Sequence, residues 1–225
     1  MHKTPMFKCI IFDLDGTLVD SETLNARALS ELMGPLDLSS EAIRDAYRGW
    51  KLSDVINHLA KTYKINVPDE FVASYRSRVQ ELYRTELRAF DGVSEALQAV
   101  NLPVCVASNA PMQKINIALE IAGLSRFFAR KLFSAYDIGA WKPDPDLFIA
   151  TAVAMDVQPH ECLVVEDSAL GLQAATAAGM TCLQFQPEPG AIVENTPFFR
   201  NYSEFHLALE ALCNQVRARS QPRVS

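Results

Sequence analysis

The chain has 225 residues, of which 49% are hydrophobic and 21% are charged, and its formal net charge is -6. This composition supplies enough apolar residues for a folded core, and the length suits one large domain or two small ones. The acidic balance argues against non-specific binding to nucleic acid. Because the longest apolar runs are also too short to cross a bilayer, we expect neither a nucleic acid nor a membrane as a partner.

The cysteines indicate a reducing environment. There are five of them, an odd number, and no two form a C-x-x-C pair. Most lie in or beside apolar strand candidates, which favours buried reduced thiols over disulfides or a zinc site. The first residues also lack the apolar segment of a secretory signal. These features predict a cytoplasmic protein.

Five short apolar segments are predicted as β-strands. They lack a polar–apolar alternation, which is typical of central strands in a parallel sheet that is covered on both faces. Helical patterns follow at 111–122, 144–155, 168–178 and 205–216, and this alternation predicts an α/β fold with a Rossmann-like parallel sheet. The strand segments are FKCIIFD from Phe7, VCVAS from Val104, KLFSAY from Lys131, CLVVED from Cys162 and TCLQF from Thr181.

Residues 20–88 interrupt the alternation directly after the first strand. This segment has no convincing strand, and its apolar spacing predicts several helices. We therefore predict a core formed by residues 1–19 and 89–225, with residues 20–88 as a small all-helical insert. The predicted helices of the insert span 22–33, 40–47, 52–64 and 69–84.

Asp13 and Asp15 follow the first predicted strand. In open parallel sheets, ligands bind beyond the carboxyl ends of the strands. The alternation of an extended chain would direct both carboxylates to one side, although a turn at Gly16 follows at once. Two carboxylates at one site favour a divalent cation that prefers oxygen ligands, most simply Mg²⁺.

The other strand ends carry complementary polar groups. Ser108 and Asn109 follow the second strand and precede a helix, which suits a phosphate oxygen. Lys142 stands in a proline-rich loop after the third strand, and Glu166 and Asp167 end the fourth. Because these strand ends meet at one edge of the sheet, the sequence predicts a phosphate group bound together with a metal ion.

The four motifs, in this order, resemble those of the haloacid dehalogenase superfamily of phosphatases. They are Asp13-Leu-Asp-Gly-Thr-Leu-Val19, Ser108-Asn109, Lys142-Pro143 and Glu166-Asp167. The helical insert resembles the cap domain of the first subclass of that superfamily. The resemblance covers nearly the whole chain, and it implies a Mg²⁺-dependent phosphomonoesterase with a capped α/β core.

The resemblance also implies a role for each motif residue. Asp13 would be the nucleophile that forms an aspartyl-phosphate, and Asp15 would be the general acid and base. Ser108 and Lys142 would complete the catalytic group and hold phosphate oxygens. The implied Mg²⁺ ligands are Asp13, Asp15 through its backbone carbonyl, Glu166 and Asp167.

Two alternatives are weighed against hydrolysis. β-Phosphoglucomutases share this cap, but they carry a histidine twelve residues after the nucleophile and a G-x-S-R stretch in the cap. This chain has Asn25 and Gly49-Trp-Lys-Leu52 at those places. A non-enzymatic phospho-aspartate switch has its phosphorylated residue on a later strand and no large insert. The differences from the mutases and from the switch proteins both favour hydrolysis by water.

The stretches GWKLSDVI and KLFSAYDIGAWKPDPDLF resemble family members that act on phosphorylated sugar acids such as 6-phosphogluconate. We therefore expect sugar phosphates or sugar-acid phosphates as substrates, and a monomer or weak homodimer. The insert is expected to close over the core, with hinges near 19–20 and 88–90. Lys51 is the first candidate for a contact from the insert to an anionic substrate. Glu22, Asn25 and Arg48 are further candidates, beside Ser108, Asn109 and Lys142 of the core.

Overall fold

The computed structural model describes residues 6–129, 131–188 and 192–220. Within these ranges, six strands form one parallel sheet in the order β3-β2-β1-β4-β5-β6. The two ends of the predicted core, residues 1–5 and 221–225, lie outside the described residues. The strands are β1 (Cys9–Phe12), β2 (Val104–Ser108), β3 (Leu132–Ser134), β4 (Cys162–Glu166), β5 (Thr181–Phe185) and β6 (Phe198–Phe199).

Helices connect the strands and cover both faces of the sheet. The predicted α/β fold is thereby confirmed. Seven of the eight predicted helices lie within two residues of the observed ends, and the last, predicted over 205–216, continues to Ser220. The helices are α1 (Glu22–Leu32), α2 (Ser40–Tyr47), α3 (Leu52–Tyr63), α4 (Phe71–Glu86), α5 (Val93–Ala99), α6 (Met112–Ile121), α7 (Ser125–Phe128), α8 (Ala135–Ile138), α9 (Asp146–Ala154), α10 (Ala169–Ala177) and α11 (Phe205–Ser220).

Two local departures from the predicted elements have simple causes. The third strand was predicted to run on to Tyr136, but it ends at Ser134. The hydroxyl of Ser134 accepts a hydrogen bond from the backbone N–H of Tyr136 at 3.2 Å and so caps α8. Strand β6 was not predicted, because two residues are too few to show a period.

The central strand β1 explains why no alternation is visible in its sequence. Ile10 and Phe12 pack into the apolar cluster on one face of the sheet. Cys9 and Ile11 pack into the cluster on the other face. All four side chains are buried, so both faces require apolar residues. The five cysteines are free thiols, as predicted.

Residues 20–88 contain α1 to α4 and no strand. Part of their apolar surface forms a cluster within the insert, which includes Leu29, Ile43 and Leu59. The chain enters and leaves the insert side by side, because the backbone N–H of Asp20 donates to the carbonyl of Arg88 at 3.0 Å. The insert is thus joined to the core by two adjacent connections.

No helix in the described part of the chain is both long enough and apolar enough to cross a membrane.

Candidate active site

A cavity of about 200 Å³ lies between the carboxyl ends of the strands and the helices of the insert. Strand β1 is flanked by β2 on one side and β4 on the other. This is the point at which the strand order reverses, where ligands bind in open α/β sheets. The core side of the cavity includes Asp13, Asp15, Ser108, Asn109 and Lys142.

Lys142 is the buried cation of the site. Its Nζ atom lies 2.5 Å from Oδ1 of Asp13 and 2.6 Å from Oε2 of Glu166, and its side chain is only 3% exposed. Burial alone would lower the pKa of Lys142, but the charges of Asp13 and Glu166 outweigh burial and hold that pKa above its ordinary value. The ammonium group therefore stays protonated beside both carboxylates.

The backbone of Lys142 is held by Asn109. The side-chain oxygen of Asn109 accepts a hydrogen bond from the N–H of Lys142 at 2.9 Å. Ser108 is also buried at this edge, and its hydroxyl accepts from the N–H of Ala110 at 3.1 Å. The structure therefore brings together the polar residues at the ends of β1, β2 and β4 and in the loop that carries Lys142.

Three buried carboxylates meet at this edge of the sheet. Oxygens of Asp13, Glu166 and Asp167 all lie within 4.8 Å of one another. Burial and the charge of Glu166 raise the pKa of Asp13 to about 8, against the opposing effect of Lys142. Burial, together with the charges of Glu166 and Asp13, also holds the pKa of Asp167 well above its usual range. Among the described residues, Lys142 is the only cation within hydrogen-bonding distance of this group, and it contacts two of the three carboxylates. A divalent cation would reduce the remaining excess of negative charge.

The surroundings of Asp167 fit such a cation. One carboxylate oxygen accepts from the hydroxyl of Thr17 at 3.0 Å, whereas Oδ2 is buried and has no hydrogen-bond partner among the described residues. Gly16 has φ +77°, and a Cβ atom there would lie 2.5 Å from Oδ2. Only glycine therefore lets the loop pass this close to the carboxylate. Buried oxygen donors of this kind suit Mg²⁺.

Glu166 is already well supplied with donors. Its Oε1 accepts from the backbone N–H groups of Asp167 and Ser168 at 3.2 and 3.0 Å and from the Ser168 hydroxyl at 2.9 Å. Its Oε2 accepts from Lys142. These contacts fix the orientation of Glu166 firmly beside the lysine.

Asp15 faces a different set of partners. The Nζ atom of Lys114 lies 2.9 Å from both of its carboxylate oxygens. Oδ1 also accepts from Ser21 at 2.5 Å, Tyr83 at 3.3 Å and Asn25 at 3.4 Å. Burial would raise the pKa of Asp15, but Lys114 and the hydrogen bonds outweigh burial and lower that pKa. Asp15 is therefore an ionised acceptor in this arrangement.

Asp13 and Asp15 line the same cavity but contact different cations, Lys142 and Lys114. The prediction that both carboxylates point to one side assumed that the chain is still an extended strand at Asp15. Strand β1 ends at Phe12 and the turn at Gly16 follows, so the alternation does not continue to Asp15.

No pattern in the sequence indicated a role for Lys114. It lies within α6, almost a hundred positions from Asp15, and an isolated lysine on a helix is usually a surface residue.

The candidates in the insert divide into two groups. Glu22 and Asn25 line the cavity, but Lys51 and Arg48 do not belong to its lining. The Nζ atom of Lys51 lies 3.5 Å from the centroid of the Trp141 ring, where the aromatic face attracts the cation. Burial and the charge of Asp15 raise the pKa of Glu22 to about 7.

Arg48 faces the acidic cluster instead of the cavity. Its Nε atom lies 3.8 Å from Oδ2 of Asp167, which is beyond hydrogen-bonding distance. The guanidinium group is therefore a neighbouring charge for Asp167, and it does not satisfy the free oxygen.

The fold and the site define a class of protein. Residues 10–185 match the family of haloacid dehalogenase-like hydrolases, and the chain belongs to that family. It is 35% identical over 185 residues to the 6-phosphogluconate phosphatase of Escherichia coli K12, covering 81% of this chain and 84% of that protein. It is also 29% identical to the fructose-1-phosphate phosphatase YqaB of the same organism, over 76% of this chain and 92% of that one.

Solved structures of the same family have the same fold. A haloacid dehalogenase-like protein from Agrobacterium tumefaciens superimposes with a TM-score of 0.80 at 27% identity, over 92% of this chain and 99% of that one. A hydrolase of this family from Deinococcus radiodurans has a TM-score of 0.74 at 25% identity, over 94% and 98% of the two chains. That structure contains bound phosphate and sodium.

Proposed function

We propose that the chain is a Mg²⁺-dependent phosphomonoesterase that hydrolyses small phosphorylated sugars or sugar acids through a phosphorylated Asp13. The observation that carries this proposal is the buried group of Lys142, Asp13, Glu166 and Asp167 at the edge of the cavity. Membership of the family and the likeness to two sugar-phosphate phosphatases support the same reaction.

In the first step, an oxygen of Asp13 forms a bond to phosphorus while the ester P–O bond breaks. The leaving alkoxide takes a proton from Asp15, which must be protonated at that moment. Lys142 and Ser108 hold the phosphate oxygens.

The positive charge of Lys142 matters in this step because the Asp13 carboxylate and the phosphate group it attacks are both anions. A carboxylate and a phosphate charge about 4 Å apart repel by about 4 kcal/mol at an effective dielectric constant of about 20.

In the second step, a water molecule attacks the phosphorus of the aspartyl-phosphate. Asp15 accepts a proton from that water, and the bond between phosphorus and Asp13 breaks to release inorganic phosphate. Asp15 is therefore protonated again and ready for another substrate. The two steps together consume one water and yield the free alcohol.

We propose Asp13, Asp167 and the backbone carbonyl of Asp15 as the residues that hold the metal. A bound dication supplies positive charge beside the transferring phosphoryl group, which lowers the barrier to attack by an anion. Glu166 would act mainly by orienting Lys142, since its own oxygens already accept from protein donors.

The insert is proposed as a cap domain that encloses the substrate. Helices α1 to α4 supply apolar side chains to the cavity, including Leu29, Ile43, Val55 and Val79. A cover of this kind excludes bulk water from the phosphoryl step. Transfer to a second sugar position is disfavoured, because Asn25, an amide, stands where mutases carry a proton-accepting histidine.

The experiment is phosphate release from p-nitrophenyl phosphate and from a panel of phosphorylated sugars, sugar acids and nucleotides. We expect turnover that EDTA abolishes and Mg²⁺ restores. Asp13→Asn should reduce turnover by about 10³-fold or more while the circular dichroism spectrum and melting temperature are retained. Undiminished hydrolysis by this variant would contradict the proposal, as would a stable phosphoprotein without turnover.

A further inference from the structure

The cavity contains a second lysine that the proposed reaction does not use. Lys114 projects from α6, and its side chain is 24% exposed towards the cavity that it lines. Its only ion pair among the described residues is with Asp15, at 2.9 Å. The other charges that act on it come from Tyr75 and Glu22, and it has no contact with Asp13, Glu166 or Asp167 among the bonds of the described residues. Lys114 thus stands apart from the residues that would hold the phosphate.

Asp15 has other donors besides Lys114. The carboxylate already accepts from Ser21, Asn25 and Tyr83, so Lys114 is its fourth donor. Lys114 is the donor with the longest flexible stem, which makes it the one that can move.

A cation that lines a cavity suits an anionic group of the ligand. The transferring phosphate already has Lys142 and Ser108, so a lysine near the leaving group is available for a different anion. Two arginines also line the cavity. Arg44 pairs with Glu188 at 3.4 Å, and Arg76 lies 6.0 Å from the centre of the Tyr136 ring. Lys114 is therefore the cation that stands directly beside the proton-donating residue.

We propose that Lys114 is a specificity-determining residue that binds a carboxylate on the alcohol portion of the substrate. This inference rests on the proposed phosphatase function and narrows its substrates to the phosphorylated sugar acids. When Lys114 turns to the substrate, Asp15 keeps its hydrogen bonds from Ser21, Asn25 and Tyr83. A neutral sugar phosphate offers no such partner and leaves Lys114 on Asp15.

Two substrates that differ only in the relevant group provide the test. 6-Phosphogluconate ends in a carboxylate where sorbitol 6-phosphate ends in a hydroxymethyl group. We expect wild-type kcat/KM to favour the acid by about tenfold or more, the value of one charge-assisted contact. Lys114→Met should abolish that preference, and Lys114→Arg should retain most of it. Lys51→Met is the matched control, because Lys51 lies outside the cavity lining, and it should keep the wild-type ratio.

Three other results would each contradict a different part of this inference. Equal losses on both substrates in Lys114→Met would show that Lys114 only orients Asp15. A loss of preference in Lys51→Met alone would assign the carboxylate contact to the insert. Hydrolysis of p-nitrophenyl phosphate by a wild-type protein with no preference for the acid would refute the specificity role and leave the phosphatase function standing.

Binding measurements test the contact between Lys114 and the substrate carboxylate even in a variant without turnover. Titration calorimetry of Asp13→Asn with the two sugar compounds should show tighter binding of the acid. In Asp13→Asn/Lys114→Met the affinity for the acid should fall about tenfold, and the affinity for sorbitol 6-phosphate should stay the same. Unchanged affinity for the acid in the double variant would refute the inference. A wild-type protein that hydrolyses no phosphate ester would refute the phosphatase function separately.

Discussion

At the residue scale, Lys142 shows how a buried charge depends on its partners. Its ammonium group contacts Asp13 and Glu166 in a region almost closed to solvent. A buried ion pair adds little net stability by itself, but removing one partner leaves an uncompensated charge. The position of Lys142 is therefore set by the carboxylates as much as by the loop that carries it.

We predict that Lys142→Met abolishes most of the activity and lowers the free energy of unfolding by about 3 kcal/mol, because two buried carboxylates lose their cation. Urea denaturation of the metal-free protein measures the loss of stability. Lys51→Met is the control. Its ammonium group lies against the Trp141 ring, a contact that contributes about 1 kcal/mol. Equal destabilisation by both variants would show that Lys142 is not held by the carboxylates.

The raised pKa of Glu22 predicts how the stability of the protein depends on pH. Its pKa is raised from 4.5 to about 7, chiefly by burial and then by the charge of Asp15. The unfolded chain ionises this group more readily than the native protein, so Glu22 costs stability as the pH rises from about 4.5 to 7. Glu22→Gln removes that cost, and at pH 8 it should be more stable than wild type by up to about 3 kcal/mol.

Thermal melts at pH 4.5 and pH 8, without metal, check the Glu22 prediction. The gain should be present at pH 8 and absent at pH 4.5. A constant difference between Glu22→Gln and wild type at both pH values would show that ionisation is not the cause.

At the element scale, the loop between α2 and α3 is where the insert meets the core. Arg48 lies beside Asp167, and the carbonyl of Gly49 accepts from the side chain of Asn109 at 3.4 Å. Lys51 then lies over Trp141. Three of four consecutive residues thus contact core residues that border the proposed site. This short loop therefore approaches the strand ends closely.

Gly49 is the point of closest approach. It has φ +78°, and a Cβ atom there would lie 2.8 Å from the Cβ and Oγ atoms of Ser168. We predict that Gly49→Ala pushes the loop away from the core and raises KM by about fivefold or more for every phosphate ester, because the cap no longer closes fully. Steady-state kinetics on p-nitrophenyl phosphate measures this effect.

Gly179→Ala is the control for Gly49→Ala, because it introduces backbone strain without a steric contact. Gly179 has φ +75°, but a Cβ atom there meets nothing within 4 Å. This variant should lose about 1 kcal/mol of stability, as expected for a side chain in the left-handed region, and should keep the wild-type KM. A raised KM in Gly179→Ala would mean that strain, and not the contact with Ser168, explains the effect at Gly49.

At the scale of the whole molecule, a metal ion bound to the acidic cluster would couple metal binding to folding. Asp13 belongs to the loop after β1, and Glu166 and Asp167 belong to β4 and the residue after it. These segments are far apart in the chain, so only the folded protein assembles the cluster. A ligand that binds the native state alone stabilises it in proportion to the logarithm of its concentration.

We predict that Mg²⁺ raises the melting temperature, with a stabilisation of about 2.7 kcal/mol when its concentration is about a hundred times its dissociation constant. Thermal denaturation over a Mg²⁺ titration, followed by EDTA, measures this effect. Asp167→Asn should abolish it, since the free Oδ2 atom is lost as an anionic ligand. A melting temperature that does not respond to Mg²⁺ in wild type would contradict the proposed metal site.

The sequence alone determined the parallel sheet and the grouping of Asp13, Ser108, Lys142, Glu166 and Asp167 near one edge of it. Local patterns suffice for this, because apolar runs identify the strands and the carboxyl ends of parallel strands lie on the same side. The position of the helical insert also follows from the order of the elements.

Only the tertiary structure decided that Lys114 pairs with Asp15 and that Lys51 lies on Trp141. In each contact, the two side chains are about ninety or more positions apart in the chain. The segments that carry them do not pair with each other as neighbouring strands do. Helix packing angles and the reach of long side chains decide such contacts, and neither leaves a periodic trace in the sequence. The residues of the proposed reaction centre could thus be found from their order in the chain, whereas Lys114, the proposed specificity residue, was found only from the packing of α6 beside Asp15.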